Sequence, residues 1–105
     1  MCPTIVTNKG LPVLAIGGAG GRKIPNSLFD VLTEHLLLGA PLEKAIAAPR
    51  LHTEGDTTLL IEQKWPEDET AFLKKTGYTI STGTGAIISA VRRDPRTGEA
   101  HALSR

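Results

Sequence analysis

The stretch AIGGAGGRKIPNSLFDVL, Ala15 to Leu32, sets four glycines within five positions between an apolar run and a helix-like pattern. Glycine has no Cβ, so its backbone enters conformations closed to other residues and lets N–H groups converge without interference. The residues before it, Pro12 to Ile16, read as a β-strand, and Pro25 suits the first turn of a helix. The segment is therefore a strand-to-helix junction with a bare, donor-rich turn. The helix N-terminus beyond it adds partial positive charge, which favours an anion.

Two specific phosphate motifs fail here. The Walker pattern needs a glycine directly before Lys23, where Arg22 stands, and a hydroxyl residue after it, where Ile24 stands. The dinucleotide pattern read from Gly18 needs its last glycine at Lys23. What is left is a general donor cradle for a phosphate, a carboxylate or the transient oxyanion of acyl transfer. The competing reading is a turn packed so tightly that only glycine fits.

The flanks give the rest of the architecture. Thr4 to Thr7 and Pro12 to Ile16 surround the turn residues Asn8, Lys9 and Gly10, the chemistry of a hairpin. Leu28, Val31, Leu32, His35 and Leu36 recur at helical spacing, and Gly39 supplies a stop. Pro41 opens and Pro49 ends a second helix over Leu42 to Ala47. A strand is expected over Thr58 to Glu62. The helix in WPEDETAFLKKTGY carries Glu67, Asp68 and Glu69 in its first turn and Lys74 and Lys75 in its last, matching the macrodipole, and Gly77 ends it. Strands in YTIS, GAIISAVRRD and EAHALS close the chain, the last two joined by a turn at DPRTG. The order is ββ-αα-β-α-βββ, a single α/β or α+β domain over residues 1–105 with mixed or antiparallel pairing.

Bulk properties narrow the function. A net charge of +1 lacks the clustered cations of a nucleic-acid footprint, and Asp94 interrupts the densest basic group, VRRDPR. No apolar run approaches the ~20 residues of a membrane span, and no signal-peptide pattern follows Met1. Compartment stays open, because one cysteine forms no internal disulfide. Cys2 has no local signature pairing it with His35, His52 or His101, and those histidines lack metal-site spacing, so neither metal nor cofactor is expected. Arg50, in APRLH just past the helix-ending proline, reads as an arginine bonding the carbonyls of that helix end, with substrate contact as the alternative.

With these pieces placed, the sequence resembles the C-terminal part of the small subunit of γ-glutamyltranspeptidases, in the N-terminal-nucleophile hydrolase superfamily. That family runs S-S-M-S-P-T-I-V through a hairpin to G-S-P-G-G-S-R-I, a helix and A-P-R-x-H. Here MCPTIV, GGAGGRKI and APRLH stand in the same order at similar intervals, followed by a closing strand in TGEAHALSR. The resemblance implies part of an αββα sandwich, and an oxyanion hole at Gly20 and Gly21. Their amides would stabilise the tetrahedral intermediate formed when a threonine attacks a γ-glutamyl amide.

Other family parts are expected upstream of Met1: the threonine, first residue of the small subunit, and the serine pair that holds the glutamyl α-carboxylate. Met1 and Cys2 occupy the positions that follow that pair, so their place in a substrate site comes from the resemblance alone. Cys2 replaces a serine and Ala19 replaces the loop proline. The expected partners are therefore the upstream part of the same enzyme and a γ-glutamyl small molecule. Family members are often periplasmic or extracellular. The alternative is a non-catalytic module on the same scaffold that uses the glycine turn, or an exposed sheet edge, for binding or self-association.

Overall fold

The computed structural model describes all 105 residues. Strands β1 (Thr4–Asn8) and β2 (Leu11–Ala19) form the expected hairpin, pairing Thr4 with Ile16 and Val6 with Leu14. Its turn holds Lys9 at φ 51 and Gly10 at φ 79, the two left-handed residues that a tight hairpin requires. After a short 3₁₀ turn at Gly21–Lys23 comes α1 (Ile24–Leu32), with Pro25 in its first turn. The regular helix stops earlier than the apolar spacing suggests. It widens over Thr33–Leu37, where the Leu38 N–H reaches the Thr33 carbonyl at 3.1 Å, and Gly39 at φ 75 ends the segment.

The remaining elements are α2 (Leu42–Ala47), β3 (Leu51–Thr53), β4 (Thr58–Glu62), α3 (Glu67–Thr76), β5 (Thr79–Gly83), β6 (Ile87–Arg93) and β7 (Ala100–Ser104). One strand was not visible in the sequence. Pro49 leaves Ala48 extended, at ψ 144, and the chain continues into β3, whose three residues are too few to show a period. α3 ends as expected, with Gly77 at φ 113.

Two sheets result. The larger has the order β1-β2-β6-β7 and is antiparallel throughout. The smaller, β3-β4-β5, is mixed: β3 and β4 are antiparallel, while β4 and β5 are parallel and joined by α3 as a crossover. Strand alternation gives the larger sheet two unlike faces. Leu14, Ile16, Ile88 and Ala90 lie in one core with Ile24, Leu28 and Val31 of α1 and Leu42 of α2. Full burial of a side chain such as Ile88 contributes about 1.5–3 kcal/mol. The opposite face stays open, with Ile5 63%, Ile87 60% and Val91 44% exposed. α1 also anchors the smaller sheet, because Asp30 accepts the Leu51 N–H at 3.2 Å and the Asn26 amide donates to the Thr53 carbonyl at 3.2 Å.

Candidate functional site

Antiparallel pairing gathers three chain segments at one end of the larger sheet. Thr4 opens β1 opposite Ile16, and Ala19 closes β2 opposite Ile87 at the start of β6. A Cβ on Gly17 would lie 3.8 Å from the Pro3 Cα, so the Met1–Pro3 segment ends beside the glycine turn. Met1 is exposed and, with Pro3, Gly17, Gly18 and Ala19, lines part of an open hollow of about 750 Å³. Cys2 is exposed at φ 21, and its carbonyl accepts the Thr4 hydroxyl at 3.2 Å. The histidines engage other groups. His35 Nδ1 donates to the Ala40 carbonyl at 2.8 Å, His52 lies 3.4 Å from Glu54, and His101 lies 3.6 Å from Glu99.

The two central glycines of the turn differ in their surroundings. Gly20, at φ 147, is packed: an added Cβ would meet both the Cα and the Cβ of Ala86 at 2.8 Å. Gly21, at φ 61, is bare, with nothing within 4 Å of such an atom. The Gly20 carbonyl accepts the Lys23 N–H at 3.3 Å, closing the 3₁₀ turn, and the Ile24 N–H bonds the Gly21 carbonyl. Both glycines are exposed, and neither N–H donates to any turn, loop or side-chain hydrogen bond. Backbone amides leading into a helix N-terminus favour negative charge, and the hollow beside this turn is lined by Gly17, Gly18 and Ala19 rather than by Gly20 and Gly21.

Behind Gly20 runs the connection from β5 to β6, held one residue at a time. Lys23 Nζ donates to the Thr84 carbonyl at 2.8 Å, Gly85 N–H donates to Glu62 Oε1 at 2.8 Å, and Ala86 N–H donates to Ser27 Oγ at 3.2 Å. Each grip comes from a different place: the 3₁₀ turn, the end of β4 and the middle of α1. Gly85 has no room for a side chain, since a Cβ there would lie 2.8 Å from Glu62 Oε1.

Glu62 is the centre of a buried ionic group. Its Oε2 accepts the Arg50 N–H at 3.0 Å and Arg105 Nη2 at 2.9 Å, with Arg50 Nε 3.8 Å away. Burial opposes the charge on Glu62, but the Gly85 N–H, Arg105 and the Arg50 N–H outweigh it and hold the carboxyl below its ordinary range. Burial likewise weakens the proton affinity of Arg50, against the attraction of Glu62. For Asp30 burial prevails over the Leu51 N–H, and its carboxyl is raised.

The expected job of Arg50 belongs to another residue. The carbonyls of Ile46 and Ala48 at the end of α2 accept Arg105 Nη1 at 3.3 and 3.1 Å. Arg50 instead lies buried against Glu62 and donates from Nη2 to the Arg105 carbonyl at 3.3 Å. Sequence separation hides this exchange. The supporting residues Ser27 and Glu62 left fainter signals: a serine on the apolar stripe of Ile24, Leu28 and Val31, and a glutamate closing the apolar run TLLIE.

Comparison with known proteins finds one family along the whole chain. The gamma-glutamyltranspeptidase family matches residues 1–105. The chain is 30% identical over 82 residues to a glutathione hydrolase proenzyme of Bacillus subtilis, covering 78% of this chain and 14% of that protein. It is 46% identical over 52 residues to a glutathione hydrolase proenzyme of Pseudomonas aeruginosa, covering 50% of this chain and 9% of that protein. A solved gamma-glutamyltranspeptidase from Pseudomonas nitroreducens, complexed with L-DON, superposes with a TM-score of 0.89 at 32% identity, covering 99% of this chain and 56% of that one. The chain thus spans a small part of the curated relatives' length and about half of the solved chain.

Proposed function

The chain belongs to the γ-glutamyltranspeptidase family, and on that premise we propose that it supplies the oxyanion hole of a γ-glutamyl-transferring or γ-glutamyl-hydrolysing enzyme. The observation that carries this reading is the pair of unspent N–H groups on Gly20 and Gly21, exposed at the end of the larger sheet. The nucleophile is a threonine hydroxyl outside these residues. Its oxygen bonds to the γ-glutamyl carbonyl carbon, and the carbonyl oxygen becomes the anion that the two amides receive. Collapse breaks the C–N bond, and the amine leaves with the proton that the threonine hydroxyl gave up on attack, giving an acyl-enzyme that water or an amine acceptor then cleaves. Aligned backbone donors at a developing oxyanion contribute roughly 3 kcal/mol each to lowering such a barrier. Met1, which lines a hollow with Gly17, Gly18 and Ala19, and its neighbour Cys2 are proposed on the family resemblance to contribute to the substrate side, and glutathione-type molecules are the proposed substrates.

The test measures hydrolysis of a γ-glutamyl anilide by this chain alone and after addition of the upstream polypeptide that carries the threonine. Turnover is expected only in the mixture. Turnover by the chain alone would refute the assignment of the nucleophile.

The open apolar face of the larger sheet favours a second reading, a non-catalytic module that self-associates through that face. Light scattering separates the two. A stable oligomer that gains no activity with the upstream polypeptide supports the module and contradicts the enzyme.

A further inference from the structure

We propose that Ser27 is a positioning residue for the Gly20–Gly21 turn, acting through Ala86. The inference deepens the oxyanion reading and rests on it. Ser27 is 1% exposed in the middle of α1, on the face that carries Ile24, Leu28 and Val31 into the core. Alanine there would be the better helix former and would bring no polar atom inside. The serine oxygen has a specific use: it accepts the N–H of Ala86, itself 2% exposed, at 3.2 Å. Without that oxygen the amide is a buried donor lacking an acceptor, and the connection must shift to solvate it.

Any such shift reaches the turn directly. Ala86 Cα and Cβ sit 2.8 Å from where a Gly20 Cβ would be, so the backbones are in contact and Ala86 forms the wall against which Gly20 is set. Lys23 and Glu62 hold the two residues before it, at Thr84 and Gly85, so Ser27 is the grip on the one residue of this connection that touches Gly20. Oxyanion donors work in a window of about 2.7–3.1 Å, and a misplacement of about 1 Å costs about 100-fold in rate. Ser27 touches no substrate. Its contribution is the place of the amides.

The experiment compares Ser27→Ala, Ser27→Thr and the core control Val31→Ala. Amide resonances and hydrogen exchange of Gly20 and Gly21 are read in the 105-residue chain, and kcat and KM in the enzyme assembled with its upstream polypeptide. Ser27→Ala is expected to move both glycine amides and lower kcat about 10-fold or more, with KM changed less than about 3-fold. Ser27→Thr keeps the oxygen and is expected to restore the amide positions and most of kcat despite the crowding of its extra methyl. Val31→Ala is expected to lower stability with the glycine amides in place. Unmoved amides in Ser27→Ala, or a kcat that follows stability across all three variants, overturns the proposal. Moved amides with unaltered kcat overturn the oxyanion reading beneath it.

Discussion

Replacing either glycine of the turn by alanine adds the same methyl group one residue apart, yet the structure assigns the two changes different costs. At Gly20 the backbone sits at φ 147, which an L-residue adopts with about 1–3 kcal/mol of strain. The new Cβ would also press on main-chain and side-chain atoms of Ala86 at 2.8 Å, where ordinary carbon contacts need about 3.5–4.0 Å. Overpacking of this kind adds about 1–3 kcal/mol. Ala86 cannot withdraw freely, because Ser27 and Glu62 hold its own and the preceding N–H. Against these costs stands about 0.4–1 kcal/mol from the stiffer unfolded chain. Gly20→Ala is therefore expected to lose about 3 kcal/mol, or roughly 12–24 °C in Tm for a domain of this size. Gly21→Ala meets no atom within 4 Å and carries only left-handed strain, so its net loss is about 1 kcal/mol. Urea unfolding of both variants with a common m-value measures the difference directly. Equal losses would refute the assignment of Gly20 as packed and Gly21 as bare.

Further outcomes follow from the ionic group. Glu62 has its folded-state pKa depressed below 4.5, so its stabilisation is present above that value and is lost as pH falls through the lower folded value. Glu62→Gln leaves buried Arg50 without its counter-charge, so a loss of about 3 kcal/mol near pH 7 is expected, together with a flatter decline of stability below pH ~4.5. Denaturation across that range checks both; a variant whose acid decline is as steep as the parent's contradicts the role. Asp30 works in the opposite sense, since its raised carboxyl stabilises most below 3.8 and less as pH rises through its folded value. Arg105→Ala frees the Ile46 and Ala48 carbonyls and is expected to cost about 1–2 kcal/mol, with hydrogen exchange rising first in Leu42–Ala47. Unchanged exchange there would contradict the helix-end role of Arg105.

The elements legible in the sequence were those with local punctuation. Lys9 and Gly10 made the hairpin, Pro25 started α1, Pro41 and Pro49 bounded α2, and Gly77 ended α3. The family, too, was legible, through short motifs in a fixed order. β3 was not, because three residues after a proline carry no period and pair only through Leu51 with Ile61 and its neighbours. The Arg50 and Arg105 exchange was hidden for a related reason: both side chains answer to Glu62, whose position depends on the whole of the smaller sheet. The glycine turn is readable in the sequence as either a cradle or a tight pack; the structure shows tight packing at Gly20, against Ala86, and open space at Gly21. No local pattern in the sequence announces that Ala86 supplies the wall behind Gly20, since 66 positions separate them.

The most direct measurement is a crystal structure of the assembled enzyme carrying a tetrahedral adduct of a γ-glutamyl-like electrophile on its threonine. The account places the adduct's oxygen within about 2.7–3.1 Å of the amide nitrogens of both Gly20 and Gly21. An oxygen turned away from those amides and held by other donors would contradict it.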